Sequence, residues 1–209
     1  MEVIGHNFIL EGMDGTGKTT IALRLDAELD SKIKTSLMTS SPFDMPLGKT
    51  LKQILLDPCN DLDWQTELLL FGALFRNHHN AFTSHVTEGM VNICDRGYLS
   101  AAVYQFLNGA DIDSIWHTVD LAYDDTFFNN TDIIILDTDN INTGLGRTEM
   151  DRFTYKGEEY YTKVRDRYRE FDIETYTHII NSDRPLDDVY YDVKEIVVDR
   201  LREKFLLNE

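Results

Sequence analysis

Short apolar runs alternate with stretches of helical periodicity along the chain. The runs that predict strands lie at residues 8–10, 36–39, 91–94, 133–136 and 178–181. Each is short and rich in apolar or β-branched residues, as is typical of strands that are buried on both faces. Alternation of such strands with helices predicts an α/β fold, in which helices flank a doubly wound parallel sheet of about five strands.

Two of the helical stretches have a clear apolar face. In the stretch from residue 63 to residue 86, the segment 68–71 together with Leu74 and Phe75 can supply core side chains. The last helix begins near Pro185, and one apolar stripe runs along it: Val189, Val193, Ile196, Val197 and Leu201. A stripe with this spacing favours packing against the core over a groove for a partner.

The first strand and the helix after it are joined by the sequence GMDGTGKT (residues 12–19), which has the Gly-x-x-x-x-Gly-Lys-[Ser/Thr] pattern of a phosphate-binding loop. Its glycines allow successive backbone N–H groups to face one polyphosphate, and the following helix adds its positive dipole end. Lys18 is expected to reach the β and γ phosphates, and the Thr19 hydroxyl to ligate Mg²⁺. The predicted ATP-binding residues are Gly12, Gly15, Thr16, Gly17, Lys18, Thr19 and Thr20.

Polar residues follow the third and fourth predicted strands at the edge where parallel sheets bind their ligands. Asp95 and Arg96 come after the third strand, and Asp137 comes after the fourth. Asp95 is expected to orient the magnesium shell, and the Arg96 guanidinium suits bidentate binding of a phosphate. The sequence therefore predicts that two carboxylates and an arginine gather beside the loop.

A polar segment with little core periodicity, residues 142–156, predicts a short lid. Its arginines, Arg147 and Arg152, would meet the transferring phosphoryl group if the lid closes, as an arginine finger supplied in cis. The alternative interpretation is a solvated loop with ordinary surface arginines. A phosphate monoester as acceptor requires no strong base, because a second pKa of about 6 leaves it largely dianionic at neutral pH.

Composition limits the other possibilities. The 209 residues contain no linker-like stretch or internal repeat, which predicts a single domain over residues 1–209. The formal net charge of −17 argues against a nucleic-acid or anionic-membrane surface. No segment has the pattern of a signal peptide or a membrane span, so a cytoplasmic protein is expected. His78 and His79 lack metal-ligand spacing, and Cys59 and Cys94 are interpreted as inert thiols.

Four motifs, in order, resemble those of the thymidylate kinase family, and the likeness extends over nearly the whole chain. They are the loop EGMDGTGKTT (residues 11–20), Asp95-Arg96 with Ser100, Tyr104 and Gln105, the lid RTEMDRF (residues 147–153), and the helix YTKVRDRY (residues 161–168). The resemblance implies a P-loop kinase that transfers the γ-phosphoryl group of ATP to a deoxynucleoside monophosphate, most simply dTMP. It also implies Mg²⁺ and a homodimer.

The resemblance assigns roles residue by residue. Asp14 would face the acceptor sugar hydroxyl, Arg96 the acceptor phosphate, Tyr104 the 2′ edge of the sugar, and Arg76 the base edge. The variable positions of the loop hold no arginine, which resembles the bacterial arrangement in which the lid supplies the catalytic arginine; Arg147 is the first choice and Arg152 the second. The implied sets are catalytic Lys18, Arg147, Arg152 and Asp14; acceptor-binding Asp14, Arg76, Arg96, Ser100, Tyr104, Gln105 and Phe71; and metal-binding Thr19 and Asp95.

Departures from the family pattern cluster where the acceptor binds. Gly72 occupies the position of the base-stacking Phe, and Phe71, one residue earlier, is turned by about 100° around a helix. Ala101 replaces a polar residue, Gly97 replaces a tyrosine, and Ser40-Ser41-Pro42 lacks the usual charged or aromatic residue before its proline. These changes predict loose selectivity for the base. If Gly72 leaves an empty space, Gly72→Phe should sharpen a preference for dTMP.

Three alternatives remain open. A kinase of another or a modified deoxynucleotide would use the same phosphate-binding parts. A deoxynucleoside kinase would need a base for a neutral hydroxyl, commonly a Glu-Arg pair where this chain has Asp95-Arg96. A nucleotide-dependent switch protein is disfavoured, because the chain has no Asn-Lys-x-Asp guanine-binding motif.

Overall fold

The computed structural model describes residues 5–39, 42–57, 59–141, 157–171 and 176–204. Strands and helices follow one another in the predicted order. The elements are β1 (His6–Glu11), α1 (Lys18–Leu29), β2 (Thr35–Met38), α2 (Pro46–Leu56), α3 (Trp64–Thr87), β3 (Val91–Asp95), α4 (Tyr98–Leu107), α5 (Ile112–Ala122), α6 (Asp125–Asn129), β4 (Thr131–Asp137), α7 (Gly157–Glu170), β5 (Thr177–Asn181) and α8 (Leu186–Glu203).

The five strands form one sheet in the order β2-β3-β1-β4-β5, and every neighbouring pair is parallel. This confirms the predicted α/β class and the doubly wound sheet. Each predicted apolar run lies on a strand, with bounds that differ by one or two residues. Because β1 lies between β3 and β4, the carboxyl ends of β1 and β3 meet at the point where ligands bind in such sheets.

Helices cover both faces of the sheet. Along β1, Phe8 and Leu10 pack toward α1 and α8, whereas Ile9 packs toward α3 and α4 on the opposite face. The apolar stripe of α8 is buried at Val189, Val193, Val197 and Leu201, and Ile196 is partly buried against the same core. The stripe is therefore core packing, as the spacing predicted.

Local sequence signals set the helix beginnings. The Asp63 carboxylate accepts a hydrogen bond from the backbone N–H of Thr66 at 2.7 Å and caps α3, and Asp111 caps α5 in the same way. Pro185 precedes α8. Within the described ranges, no helix combines the length and the apolar character that crossing a bilayer requires.

Candidate active site

The carboxyl ends of β1 and β3 open onto a cleft with a volume of about 250 Å³. Its walls come from the phosphate-binding loop, the first turn of α1 and the residues at the end of β3. The lining residues are Asp14, Gly15, Gly17, Lys18, Thr19, Thr20, Asp95 and Arg96. All belong to the loop and third-strand motifs that the sequence singles out.

The loop has the backbone that its glycines allow. Gly12, Gly15 and Gly17 have φ angles of 125°, 81° and 93°, a region that side chains with a Cβ rarely adopt. At Gly12 a Cβ would also collide with the carbonyl oxygen of Leu136 on β4. Gly17 is the N-cap of α1, so the free N–H groups of that helix begin at the cleft.

The Lys18 side chain is hydrogen-bonded within the phosphate-binding loop. It is buried, and Nζ donates to the Met13 carbonyl at 2.5 Å and lies 3.4 Å from Oγ1 of Thr16. Burial and the nearby Arg96 charge lower the pKa of Lys18 to about 8. A phosphate bound in the cleft would add negative charge next to the Lys18 ammonium and favour its protonated form.

Thr19 and Asp95 meet at the base of the cleft. The Thr19 hydroxyl donates to the Asp95 carboxylate, which is buried. Both are hard oxygen ligands of the kind that Mg²⁺ prefers, and Mg²⁺ usually takes only one or two protein ligands beside phosphate and water oxygens. In the part of the chain described, no group of three His, Cys, Asp or Glu residues could form a metal cage. The pair therefore fits a magnesium site completed by a substrate.

Arg96 is bound on both sides of its guanidinium. One terminal nitrogen, Nη2, pairs with the Asp14 carboxylate, and the other, Nη1, donates to the Gly12 carbonyl at 3.1 Å and to Ser100 Oγ at 2.8 Å. Burial opposes ionisation of Asp14, but the charges of Arg96 and Lys18 outweigh it and lower the pKa of Asp14. Arg96 also has a φ of 74°, an uncommon value outside glycine that often marks functional positions.

Two site residues were not assigned a role from the sequence. Glu11, fully buried at the end of β1, accepts hydrogen bonds from the backbone N–H of Gly97 at 2.8 Å and from the Ser100 hydroxyl. The Tyr168 hydroxyl, on α7, lies 2.8 Å from Ser100 Oγ and accepts from Arg96 at 3.3 Å. The available signals were the charged residue directly after the apolar run at residues 8–10 and the YTKVRDRY motif.

Tyr104 lies close to the same charges. Its ring stacks on Tyr160 of α7, with ring centroids 6.5 Å apart. Burial raises the pKa of Tyr104, and the charges of Arg96 and Asp14 act on its hydroxyl in opposite directions. The predicted contact with the acceptor sugar stays a prediction.

Gln105 is not among the residues that line the cleft, and its predicted contact with the acceptor stays a prediction. The side chain is fully buried, and Nε2 donates to the Glu67 carboxylate of α3 at 2.8 Å. Five residues separate Gln105 from Ser100, which places the two side chains about 140° apart around α4. Gln105 therefore links α4 to α3.

Arg76 and Gly72 share a face of α3 that packs against α5. Nη1 of Arg76 donates to the Ala122 carbonyl at 3.2 Å, and a Cβ on Gly72 would lie 2.9 Å from Cγ2 of Thr118. Thr118 of α5 occupies the space beside Gly72, so the empty stacking space expected there is corrected. Without an acceptor the Arg76 side chain is bonded to α5, and its predicted base-edge contact stays a prediction.

Phe71 faces a different neighbour. Its ring lies 6.3 Å from the Phe43 ring and 5.9 Å from the Phe75 ring, measured between centroids. Phe71 and Phe75 are four residues apart and form one face of α3. Phe71 is thus turned away from the face of Gly72, as the helix angle predicted.

Two further departures have packing reasons. Gly97 lies so close to β1 that a Cβ would come within 2.8 Å of Cγ2 of Ile9, and Tyr98 enters the core instead. Asp137 does not line the cleft, because Arg169 of α7 donates to its carboxylate at 2.9 and 2.7 Å. The end of β4 does adjoin the loop, since a Cβ on Gly12 would collide with the Leu136 carbonyl, but the Asp137 carboxylate is bound to Arg169 and does not join Asp95 in the cleft.

The predicted lid, residues 142–156, lies outside the described residues together with its arginines, Arg147 and Arg152. Ser40 and Ser41 also lie outside them.

Comparison with known proteins gives one consistent result. A family model described as thymidylate kinase matches residues 10–193. The chain is 30% identical to the thymidylate kinase of Geobacillus sp. (strain WCH70) over 94% of this chain and 98% of that protein. It is also 30% identical to a probable thymidylate kinase of Pyrococcus horikoshii, over 92% and 96% of the two chains.

A solved structure agrees at the level of the fold. Thymidylate kinase from Candida albicans matches with a TM-score of 0.75, covering 99% of this chain and 96% of that chain, at 18% identity. The motifs, the cleft and the sequence matches agree over almost the whole length. The chain belongs to the thymidylate kinase family.

Proposed function

We propose that this protein transfers the γ-phosphoryl group of ATP to dTMP, giving dTDP and ADP. The observation that carries the proposal is the arrangement of the cleft. The phosphate-binding loop with Lys18 forms one wall, and Arg96 paired with Asp14 forms another. Two phosphate-binding elements that share one cleft suit a donor polyphosphate and an acceptor monophosphate.

The reaction needs positioning and charge neutralisation more than a base. An oxygen of the dianionic acceptor phosphate attacks the γ phosphorus, and the bond from that phosphorus to the β–γ bridging oxygen breaks. The electron pair of that bond leaves with ADP. Lys18 would stabilise the charge on the β and γ phosphates. Arg96 would orient the attacking phosphate, with its guanidinium bound to both that phosphate and the Asp14 carboxylate.

Thr19 and Asp95 would hold Mg²⁺ at the loop. When bound, the ion neutralises charge on the β and γ phosphates. The existing hydrogen bond between the Thr19 hydroxyl and the Asp95 carboxylate already places both ligands together.

The lid would complete the site. Arg147 is the proposed catalytic arginine, and Arg152 the second choice, because Lys18 and Arg96 are the only cations among the described residues that line the cleft. Transition-state charge on a transferring phosphoryl group is commonly stabilised by an arginine supplied in this way.

A homodimer is part of the proposal. Leu69 on α3 and Leu121 on α5 are 74% and 84% exposed, and they lie on two helices that pack against each other. Large exposed apolar side chains on adjacent helices suit burial against a second copy. Light scattering on the purified protein tests whether its molar mass in solution is that of two chains.

The proposed substrates also support a cytoplasmic place of action, because ATP and deoxynucleotides are intracellular.

A broader acceptor range has a specific observation in its favour. The Arg76 side chain, expected at the base edge, is bonded to α5. A site without that contact penalises the wrong base less. Another deoxynucleotide, or a thymine analogue with a larger 5-substituent, is therefore proposed as a second acceptor.

An acceptor panel tests the proposal. Purified protein is incubated with ATP, Mg²⁺ and each of dTMP, dUMP, dCMP, dAMP, dGMP and thymidine, and the products are separated by chromatography. We expect dTDP from dTMP and no dTMP from thymidine. Transfer to thymidine would identify a deoxynucleoside kinase, and nucleotide hydrolysis without transfer to any acceptor would overturn the kinase assignment.

A further inference from the structure

Glu11 is a buried carboxylate that the proposed chemistry does not use. It is 0% exposed, and it makes no ion pair with another described residue. Its partners are the backbone N–H of Gly97 at 2.8 Å, the backbone N–H of Ser100 at 3.2 Å, and the Ser100 hydroxyl. All three belong to the beginning of α4, directly after Arg96.

The first consequence is a helix cap supplied from another strand. Gly97 is the N-cap residue of α4 and has no side chain to accept the unpaired N–H groups of the first turn. Oε1 of Glu11 accepts two of them, from Gly97 and Ser100. A carboxylate at this end also suits the helix dipole. The strand that leads into the phosphate-binding loop therefore fixes the start of α4.

The second consequence is a fixed direction of hydrogen bonds around Arg96. The Ser100 hydroxyl has one proton, which it donates to Glu11. Ser100 Oγ then accepts from Nη1 of Arg96 and from the Tyr168 hydroxyl, at 2.8 Å in each case. Since the Tyr168 proton points to Ser100, the Tyr168 oxygen is free to accept from Arg96. The two hydroxyl protons, from Tyr168 to Ser100 and from Ser100 to Glu11, therefore run in one direction toward Glu11.

We propose that Glu11 is a positioning residue for Arg96: it caps α4 and orients Ser100 and Tyr168 so that both accept from the guanidinium. The inference that this arrangement serves acceptor binding rests on the proposed function. Burial raises the pKa of Glu11, whereas the Ser100 hydrogen bond and the Arg96 charge favour the carboxylate. Arg96 and Glu11 therefore support each other through Ser100 without direct contact.

Glu11→Gln separates the two roles. The glutamine Oε1 can still accept from the Gly97 and Ser100 N–H groups, but its NH₂ group replaces the second carboxylate oxygen and donates. The Ser100 hydroxyl must then turn its proton away from residue 11, toward Tyr168, and both lose acceptor capacity for Arg96. We expect the KM for dTMP to rise by about 10- to 100-fold, with kcat and the KM for ATP changed by less than about threefold.

Two further variants complete the design. Ser100→Ala removes the hydroxyl and leaves both backbone caps, so it should raise the KM for dTMP as Glu11→Gln does, and the double variant should be no worse than the more affected single variant. Glu28→Gln on α1, where the partly exposed carboxylate bonds to Tyr190 and Lys194, is the matched control and should change neither KM. A merely structural role for Glu11 would lower kcat and the melting temperature and leave the KM for dTMP unchanged, which would overturn the proposal.

A readout that needs no turnover separates this proposal from the proposed function. The guanidinium ¹⁵N resonances of Arg96 should be resolved in the parent, because rotation is restricted, and averaged in Glu11→Gln. Resolved parent resonances that average in the variant, in a protein that phosphorylates no acceptor, would end the proposed function and leave the role of Glu11 intact. If Glu11→Gln phosphorylates dTMP normally, with an unchanged KM and unchanged Arg96 resonances, the proposed function would stand and the proposed role of Glu11 would be overturned.

Discussion

Gly72 of α3 lies against Thr118 of α5 so closely that a Cβ on the glycine would be 2.9 Å from the Thr118 methyl carbon. The threonine is held in place, because its hydroxyl donates to the Ser114 carbonyl at 2.8 Å. The glycine therefore allows two helices to approach, although glycine within a helix costs about 1 kcal/mol relative to alanine.

This contact changes the expected effect of a larger side chain at Gly72. Gly72→Phe should lower the free energy of unfolding by about 3 kcal/mol or more, because overpacking displaces α5, and it should not sharpen a preference for dTMP. Gly72→Ala alone should be close to neutral or destabilising. Gly72→Ala combined with Thr118→Ser, which removes the methyl group, should be more stable than Thr118→Ser by up to about 1 kcal/mol. Urea unfolding of the four variants checks this, and a stable Gly72→Phe with raised dTMP selectivity would contradict it.

Lys18 should reduce stability while it supports activity. Its pKa is lowered from 10.5 to about 8, mainly by burial, so the folded protein binds this proton less tightly than the unfolded chain. The free energy of unfolding should therefore rise as the pH increases from about 8 to 10.5. Lys18→Met should abolish phosphoryl transfer and stabilise the protein at pH 7 by about 1 to 3 kcal/mol.

Urea unfolding at pH 7 and pH 9.5 measures the Lys18 effect. The advantage of Lys18→Met over the parent should be smaller at pH 9.5. Lys49→Met, at an exposed lysine of α2, is the control and should leave both activity and stability unchanged. A less stable Lys18→Met protein at pH 7 would show that the contacts to the loop outweigh the cost of burying the charge.

Asp95 and Asp137 both end a strand at the same edge of the sheet, which makes them a matched pair. Asp95→Asn should weaken the magnesium site, so that more Mg²⁺ is needed for half-maximal activity and kcat falls by about 100-fold. Asp137→Asn should leave the magnesium dependence unchanged, because its carboxylate is bound to Arg169. Initial rates over a Mg²⁺ titration at fixed ATP check this, and equal effects of the two substitutions would contradict the assignment of Asp95.

Arg147→Ala should lower kcat and kcat/KM alike, by about 1,000-fold, if the arginine acts mainly on the transition state. Steady-state kinetics with ATP and dTMP varied separately give both constants. A change confined to the KM for ATP would make Arg147 a ground-state contact and would transfer the catalytic role to Arg152, whose alanine variant is made in parallel.

The sequence predicted the parts of the site that one local segment encodes. The loop needs glycines at fixed offsets, and Asp95-Arg96 follows a buried strand at the edge where ligands bind, so residue type and spacing are enough. The sequence did not indicate the partners of Gln105, Arg76 and Asp137, because each depends on which distant group competes for the side chain. Their partners, Glu67, Ala122 and Arg169, lie 38, 46 and 32 residues away in the sequence. Helical spacing gives the angle between two side chains, but the packing of other helices decides where either one points.

Selectivity for the base tests whether the hydrogen bond between Arg76 and Ala122 persists when an acceptor is bound. Because the Arg76 guanidinium is bonded to the Ala122 carbonyl on the α5 side of α3, Arg76→Ala should change kcat/KM for dTMP by less than about threefold. The ratio of dTMP to the other deoxynucleotides, expected within about 100-fold in the parent, should also be unchanged.

Arg96→Ala is the contrasting variant, and it should lower kcat/KM for every acceptor by a similar factor, since all acceptors carry the phosphate that Arg96 binds. Competition assays with dTMP and one other deoxynucleotide in the same reaction measure the ratio directly. A selective loss of dTMP phosphorylation in Arg76→Ala would mean that the arginine leaves Ala122 when the acceptor binds and reads the base edge. In that case the α5 contact belongs only to the protein without substrate.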